Sequence, residues 1–188
     1  LSQGEILEEA ISIKNANPAA NITNVVFMGI GEPMDNYDNV MRAIRVFNDK
    51  DAFNIGARKI TISTCGVVPG MVKLIKEGLQ IELSVSLHSA NDAVRSKLLP
   101  VNKRYPLKDL MQACRDYIRA TKRIITFEYV LIKGVNSSKD DALSLVRLLK
   151  GMQCKVNAIS YNKIPGSPYE GPSGAEIKIF MNALKSGG

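Results

Sequence analysis

The chain has 188 residues, which is enough for one domain with a sizeable core. Hydrophobic residues make up 45% and charged residues 23%, and no segment approaches the length of an apolar membrane span, so we expect a soluble protein. The 25 basic and 18 acidic residues give a net charge of +7, which favours an anionic partner such as nucleic acid without establishing one. The first residues, LSQGEILEEA, have neither a basic start nor an apolar core, so we expect a cytoplasmic protein.

Helical and strand-like patterns alternate along the whole chain. The predicted elements, in chain order, are a helix over 2–15, a strand over 24–30, a helix over 37–50, a strand over 58–64, a helix over 69–77, a strand over 80–87, a helix over 106–121, a strand over 124–131, a helix over 138–150, a strand over 154–160 and a helix over 173–186. Pro69, Gly78 and Ser138 provide start and stop signals at helix ends. The alternation predicts one α/β domain over residues 1–188 with a parallel sheet, either doubly wound or curled into a barrel.

Several predicted strands carry apolar residues at one parity and polar residues at the other. The segment IELSVSLH shows the pattern, with Ile81, Leu83, Val85 and Leu87 at one parity and Glu82, Ser84, Ser86 and His88 at the other. A doubly wound sheet has helices on both faces and tends to be apolar throughout, whereas a barrel-like sheet can have a polar lumen. An antiparallel sheet with one solvated face is the alternative, which the long helical connections disfavour. Because ligands of such barrels bind at the carboxyl ends of the strands, the residues there are candidate site residues.

The first predicted strand ends in GIGEP, residues 29 to 33, which contains two glycines of a possible phosphate loop. A dinucleotide-binding loop has a third glycine where this chain has Met34, and the carboxylate of Glu32 would repel a pyrophosphate. Glu32 and the exposed carbonyl groups of Gly29 and Gly31 can instead accept hydrogen bonds from an ammonium group. A structural turn in which Glu32 caps the following helix accounts for the same residues equally well.

The polar residues at the other strand ends also have simple structural explanations. His88 is the only histidine, and a lone histidine is more often structural than catalytic. Ser63 and Ser86 are typical of turns, and Asn162 is typical of an Asx turn. These residues alone therefore leave a ligand site and a structural role open.

Five segments of the chain carry a more specific combined pattern. They are VVFMGIGEPMDNYDNV, ITISTCGVVPGM, LSVSLHSANDAVRSKLLPVNKRYP, EYVLIKGVNSS and CKVNAISYNKIPGSPY. Their order and spacing resemble those of the RlmN-type radical S-adenosylmethionine (SAM) methyltransferases, and the resemblance extends from about residue 20 to residue 170. It implies a partial (β/α) TIM-like barrel of the radical SAM type, with SAM and a 4Fe-4S cluster in the lumen. It also implies an enzyme that methylates carbon-2 of an adenine in 23S rRNA and in tRNA, with an electron donor such as flavodoxin and no membrane partner.

The same resemblance implies which residues bind SAM. Gly31 and Glu32 would hold its amino group. The other residues implied to line the cofactor are Ser63, Ser86, Leu87, His88 and Asn162. His88 would then be a binding residue and not a general base. No residue of this chain is assigned as catalytic or as a metal ligand.

Two motifs of this family do not occur in the sequence. They are the CxxxCxxC motif that holds the cluster and a late cysteine, in a DIDAACGQL-like segment, through which the methyl group passes. The three cysteines, Cys65, Cys114 and Cys154, match neither motif, and we interpret them as buried free thiols, with Cys154 at the start of a buried strand. We therefore expect an internal fragment that lacks the first and last strands of the barrel and that alone neither binds the cluster nor methylates RNA. A Cfr-like methyltransferase acting on carbon-8 and a non-catalytic RNA-binding barrel module are the alternatives.

Overall fold

A computed structural model of the chain describes residues 1–19 and 21–187. Its α-helices are α1 (Gln3–Ala16), α2 (Tyr37–Asn48), α3 (Val68–Lys76), α4 (Asp92–Leu98), α5 (Leu107–Thr121), α6 (Lys139–Leu149) and α7 (Gly174–Lys185). Its strands are β1 (Val25–Phe27), β2 (Ile60–Thr64), β3 (Glu82–Ser86), β4 (Ile125–Leu131) and β5 (Cys154–Ser160). Short 3₁₀ helices cover Pro33–Asn36, Ala57–Lys59 and Pro100–Lys103. None of the helices in the described ranges has the length and apolar character needed to cross a membrane.

The five strands form one sheet in which every neighbouring pair is parallel and the order is β1-β2-β3-β4-β5. Each crossover therefore steps to the next strand in the same direction. Since such crossovers are almost always right-handed, the connecting helices lie on the same face of the sheet. A doubly wound sheet would contain a point at which the strand order reverses, and this sheet has none among its described strands. The strand order thus confirms the predicted partial barrel and excludes a doubly wound sheet.

The two faces of the sheet differ as the strand pattern predicts. In β4 the odd-numbered residues, from Ile125 to Leu131, are buried, whereas Thr126, Glu128 and Val130 are only half-buried. The buried parity packs against the helices, where α2 and α5 contribute apolar side chains such as Ile44 and Leu110. Fully burying a side chain of this size stabilises the fold by about 1.5–3 kcal/mol. The core therefore lies between the sheet and the helices, and the opposite face bears the polar residues.

Several predicted boundaries need correction. The first strand ends at Phe27 and not at residue 30, because Gly29 and Gly31 adopt φ angles of +143° and +104° that cannot continue a strand. Helix α4 was not predicted, since seven residues are too few for a clear helical period. Its start is nevertheless visible, because the Asn91 side chain accepts hydrogen bonds from the backbone N–H groups of Ala93 and Val94.

The interpretation of the cysteines as buried free thiols is only partly correct. All three are free, but only Cys114 is buried, whereas Cys65 and Cys154 are half-buried. The expectation of a buried strand at Cys154 is wrong, because β5 lies at the edge of the sheet and none of its residues is fully buried. An edge strand has neighbours on one side only, which explains its greater exposure.

Strand β1 forms the other edge of the sheet and borders an apolar groove. The groove has a volume of about 780 Å³ and lies between α1 and β1. On the lumen side of this edge, Val26 and Met28 are 54% and 55% exposed. Exposed apolar side chains next to an unpaired strand edge are typical of a surface that another segment covers.

Candidate functional site

Glu32 lies at the carboxyl end of β1 and connects this strand to β2. Its Oε1 atom accepts a hydrogen bond of 3.0 Å from the backbone N–H of Met34, which caps the 3₁₀ helix Pro33–Asn36. Its Oε2 atom accepts a hydrogen bond of 2.7 Å from the backbone N–H of Cys65. The capping role considered from the sequence is therefore present. Because each carboxylate oxygen has two lone pairs, each keeps one for a ligand, so capping does not exclude a role in binding an ammonium group.

The glycines before Glu32 leave the backbone of this loop open. Both Gly29 and Gly31 have positive φ angles, and no other atom lies within 4 Å of the position that a Cβ would occupy. Both residues are exposed. A ligand can therefore approach their carbonyl groups closely, which side chains at these positions would hinder.

Cys65 lies between the candidate residues at the ends of β1 and β3. Burial raises the pKa of its thiol, and the charge of Glu32 raises it further, while the Arg95 guanidinium and a hydrogen bond with Ser86 lower it. The net shift is upward, so the thiol is protonated at neutral pH. A thiol in this state is neither a reactive nucleophile nor a metal ligand.

His88 follows β3 and is held against β4. It has a left-handed backbone with φ of +56°, and its Nδ1 atom accepts a hydrogen bond of 3.2 Å from the backbone N–H of Val130. In a neutral imidazole, Nδ1 then carries no proton and Nε2 carries one. Burial lowers the pKa of His88 to about 4, and the positive charge of Arg95 contributes, although a hydrogen bond with the Glu128 backbone opposes the shift. His88 is therefore an uncharged donor at neutral pH, which fits a binding role better than that of a general base.

Leu87 differs from its neighbours, because its side chain is fully buried in the core on the other face of the sheet. Its backbone N–H donates to the carbonyl oxygen of Glu128 at 2.9 Å, and its own carbonyl oxygen accepts from Arg95 Nε at 3.0 Å. The side chain of Leu87 therefore cannot contact a ligand in the lumen. Only its backbone remains for the predicted role.

The serines lie on the lumen face of β2 and β3. Ser63 is directly opposite Ser84, and Ser86 is opposite Glu128. The Ser84 hydroxyl donates to the Glu128 carboxylate at 3.0 Å, and the Asn157 side chain donates to the same carboxylate at 2.8 Å. Glu128 had no predicted role. The sequence does show that Glu128 occurs among the alternating polar residues of a strand, and this position identifies it as a lumen residue.

Asn162 is the candidate farthest from Glu32. It is exposed and lies two residues beyond β5, where the preceding backbone N–H, that of Tyr161, donates to Leu131 at 3.0 Å. Four inter-strand gaps of roughly 4.8 Å separate β1 from β5, or about 19 Å along a flat sheet and less along a curved one. Glu32 and Ser86, by contrast, both form hydrogen bonds with Cys65, and His88 lies two residues after Ser86. Asn162 can share their ligand only at its opposite end.

The sequence profile of the Radical SAM superfamily matches residues 1–149. The chain belongs to the radical SAM superfamily.

Relatives and solved structures narrow this assignment. A "Probable dual-specificity RNA methyltransferase RlmN" of Clostridium novyi is 44% identical over 184 residues, which are 98% of this chain and 53% of the relative. A protein of the same name from Pelotomaculum thermopropionicum is 46% identical over the whole chain and 51% of the relative. The crystal structure of a radical SAM methyltransferase from Sphaerobacter thermophilus superposes with a TM-score of 0.95 at 43% identity, over 100% of this chain and 56% of that one. The resemblance to RlmN-type proteins is confirmed. The chain spans about half the length of the curated relatives that it matches.

Membership of the superfamily implies SAM, and the described residues fit it. SAM carries an ammonium group, for which the Glu32 carboxylate has free lone pairs. Its ribose hydroxyls match the hydroxyl groups on the lumen face of β2 and β3, and its adenine nitrogens match the Nε2–H donor of His88. The open backbone at Gly31 gives access to the end of β1.

Membership also implies a 4Fe-4S cluster, and the described residues do not fit it. No group of three or more His, Cys, Asp or Glu residues within 1–19 and 21–187 could hold a metal ion. Cys114 is fully buried, and burial raises its pKa to about 12. A cluster requires thiolate ligands gathered in one place, which Cys65, Cys114 and Cys154 do not provide.

Gly70 positions the Glu32 loop indirectly, and we expect Gly70→Ala to disturb it. A Cβ at Gly70, near the start of α3, would lie 2.7 Å from both Cβ and Sδ of Met34, the residue whose N–H binds Glu32. Overpacking of this kind costs about 1–3 kcal/mol, and the better helix propensity of Ala offsets about 1 kcal/mol. Urea unfolding should therefore show a net loss of about 1 kcal/mol. In the control Gly4→Ala, the nearest atom would be 3.9 Å away, so that variant should be at least as stable as the wild type. A gain in stability for Gly70→Ala would contradict the prediction.

Proposed function

We propose that this chain is the SAM-binding part of an RNA methyltransferase that methylates carbon-2 of adenine in 23S rRNA and tRNA. Two observations together support this most directly. Relatives named RlmN are similar to this sequence over nearly the whole chain, and the Glu32 carboxylate at the end of β1 keeps free lone pairs for a ligand. In this proposal the methyl group reaches the adenine through a methylated cysteine that is not one of the three present here.

The proposed roles of the residues follow from their hydrogen-bonding capacity. The carboxylate of Glu32 and the backbone carbonyl of Gly31 accept hydrogen bonds from the ammonium group of SAM. The hydroxyl groups of Ser63 and Ser86 face the ribose, and the Nε2–H of His88 donates to an acceptor on the cofactor. Asn162 contacts the far end of the same ligand, and Leu87 takes part through its backbone alone. SAM, when bound, supplies the methyl group and the radical chemistry of the superfamily.

We also propose that residues 1–188 form part of a single core domain that other segments of a longer polypeptide complete. The apolar groove beside β1, with the exposed side chains of Val26 and Met28, supports this because a further strand would bury them and pair with the free edge. The lengths of the curated relatives, of which this chain spans about half, support it as well. The cluster ligands, the contacts to RNA and the site for an electron donor such as flavodoxin would then lie partly on those segments.

The SAM assignment predicts that Glu32→Gln and Asn162→Ala weaken SAM binding by the full-length protein with its cluster reconstituted. Glu32→Gln removes a charge-assisted hydrogen bond worth about 1.5–3 kcal/mol, which corresponds to a Kd at least tenfold higher by calorimetric titration. Asn162→Ala removes a neutral hydrogen bond and should raise the Kd severalfold. Glu176→Gln is a control, because the Glu176 carboxylate also accepts a hydrogen bond from a backbone N–H at a helix start, that of Ser173, but is located at α7. Unchanged affinity in both site variants would rule out the assignment.

Analysis of the product tests the reaction itself. The full-length protein, incubated with SAM, a flavodoxin-based reducing system and unmodified 23S rRNA or tRNA, should yield adenine methylated at carbon-2, as identified by mass spectrometry of the nucleosides. Methylation at carbon-8 would instead support the Cfr-like alternative. RNA binding without any methylation, by a protein that holds no cluster, would support the non-catalytic module.

A further inference from the structure

Arg95 is fully buried in α4, yet no carboxylate lies within hydrogen-bonding distance of its guanidinium group among the described residues. Its Nη2 atom donates to the carbonyl oxygens of Cys65 at 2.7 Å and Ser86 at 3.0 Å, and its Nε atom donates to that of Leu87 at 3.0 Å. These three carbonyl groups lie at the carboxyl ends of β2 and β3. Arg95 therefore binds the two strand ends that border the candidate site.

The remaining nitrogen atom of the Arg95 guanidinium group is held by a second buried residue. Its Nη1 atom donates to Asn102 Oδ1 at 2.7 Å. The Asn102 amide in turn donates to the Asp92 carboxylate at 2.9 Å and to the Ser96 hydroxyl at 2.9 Å. The same Asp92 carboxylate accepts the backbone N–H of Leu107 at the start of α5. The hydrogen-bond link between Asp92 and Arg95 thus passes through Asn102, which fixes the plane of the guanidinium group.

Arg95 also connects the two halves of the candidate site. Cys65, whose carbonyl oxygen accepts from Arg95, donates its own N–H to Glu32 at 2.7 Å. Ser86 and Leu87, whose carbonyl oxygens also accept from Arg95, immediately precede His88. One side chain therefore restrains the backbone that positions Glu32 on one side and His88 on the other.

We propose that Arg95 is a positioning residue for the SAM site, which sets the distance between Glu32 and His88 by holding the carboxyl ends of β2 and β3 together. This inference rests on the proposed function for the identity of the ligand. Only a planar group with several donors in fixed directions can bind three carbonyl oxygens and one amide oxygen at once. Lysine keeps the charge but presents a single nitrogen, so it cannot replace this arrangement.

The test compares Arg95→Lys with Arg123→Lys. Arg123 is a matched control, because it is a largely buried arginine that pairs with Glu82 at the opposite, amino end of β3. Two readouts are needed. The first is the NMR spectrum of the 188-residue chain, in which His88 is the only histidine and the backbone amide of Cys65 reports on its bond to Glu32. The second is the Kd for SAM of the full-length, cluster-reconstituted protein.

We expect Arg95→Lys to shift the Cys65 amide and the imidazole nitrogen signals of His88, and to raise the Kd for SAM at least tenfold. Arg123→Lys should leave both sets of signals in place and change the Kd less than twofold. A lower melting temperature of Arg95→Lys with unchanged signals and affinity would overturn the proposal, because Arg95 would then only stabilise the fold. If Arg95→Lys does not fold, Asn102→Ser, which retains Arg95 but shortens its acceptor, gives the same readouts with the same criteria.

The two proposals fail in different ways. Absence of SAM binding by the wild type, together with shifted Cys65 and His88 signals in Arg95→Lys, would refute the proposed cofactor and support the positioning role. Normal SAM binding by both proteins would refute the positioning role and leave the proposed function intact.

Discussion

Replacing Asn136 by alanine should destabilise the chain by about 4 kcal/mol. Asn136 is fully buried after β4, and its amide forms three hydrogen bonds. Its Nδ2 atom donates to the carbonyl oxygens of His88 at 2.6 Å and Val130 at 2.7 Å, and its Oδ1 atom accepts the backbone N–H of Ile132 at 2.7 Å. Alanine leaves the buried N–H of Ile132 and two part-buried carbonyl groups without these partners, at about 1–3 kcal/mol for each group that stays shielded from water.

Two further variants separate this effect from general intolerance to substitution. Asn157→Ala removes an exposed asparagine with one hydrogen bond to Glu128 and should change the free energy of unfolding by no more than about 0.5 kcal/mol. Asn136→Asp keeps the acceptor for Ile132 but places a carboxylate oxygen against two carbonyl oxygens. It should be at least as destabilising as alanine at pH 7. Urea unfolding at pH 7 measures all three, and a loss below about 1 kcal/mol for Asn136→Ala would contradict the argument.

The sequence was sufficient to predict the barrel and the residues that end its strands, because both depend on short-range patterns. The alternating parity of IELSVSLH predicted a polar face, and the residues that close each strand, such as Glu32 and His88, follow from their place in the chain. The carboxylate of Glu32 also excludes a phosphate loop through its charge alone. These predictions needed no knowledge of which residues meet in space.

Arg95 and Asn136 could not be predicted in the same way. Their partners are mainly backbone carbonyl groups, which every residue possesses and which leave no signal in the sequence. One partner of each is also remote, since Cys65 precedes Arg95 by 30 residues and His88 precedes Asn136 by 48. Charged and amide residues are usually exposed, so a sequence pattern alone assigns both to the surface.

Leu87 is one of the residues that the resemblance to a family implied for SAM binding, and the structure restricts that role to its backbone. Motif matching transfers a residue without stating whether its side chain or its backbone makes the contact. In this fold the side chain of Leu87 belongs to the apolar parity of β3 and packs in the core. The parity rule, applied to the same segment, distinguishes it from Ser86 and His88.

The second large effect is a dependence of stability on pH that arises from His88. Its pKa is lowered to about 4 in the folded chain, chiefly by burial and then by the charge of Arg95, whereas an unfolded histidine titrates near 6.5. Between these values the unfolded state binds a proton that the folded state does not, so stability decreases as the pH falls from about 6.5 to about 4. At 1.36 kcal/mol per pKa unit, the loss reaches about 3 kcal/mol and then levels off below pH 4.

His88→Asn isolates this contribution from that of the carboxyl groups, among them Glu5 and Glu176, whose pKa values are lowered by hydrogen bonds to serines. Asparagine tolerates the left-handed backbone at residue 88, and its Oδ1 atom can replace Nδ1 as the acceptor for the N–H of Val130. As the pH is lowered from 7 to 4, the wild type should therefore lose about 3 kcal/mol more of its unfolding free energy than His88→Asn does. A flat difference, or a histidine NMR signal that titrates near 6.5, would contradict it.

The same titration should act on the candidate site before the whole chain unfolds. A proton on Nδ1 turns the acceptor for the Val130 N–H into a donor, so the two groups repel each other and the contact between His88 and β4 opens. Asn136, which holds the His88 carbonyl oxygen, resists that movement. In Asn136→Ala this restraint is absent, and the pKa of His88 should rise from about 4 towards 6.5. NMR titration of the single histidine in both proteins measures the shift, and an unchanged pKa would show that Asn136 does not keep His88 against β4.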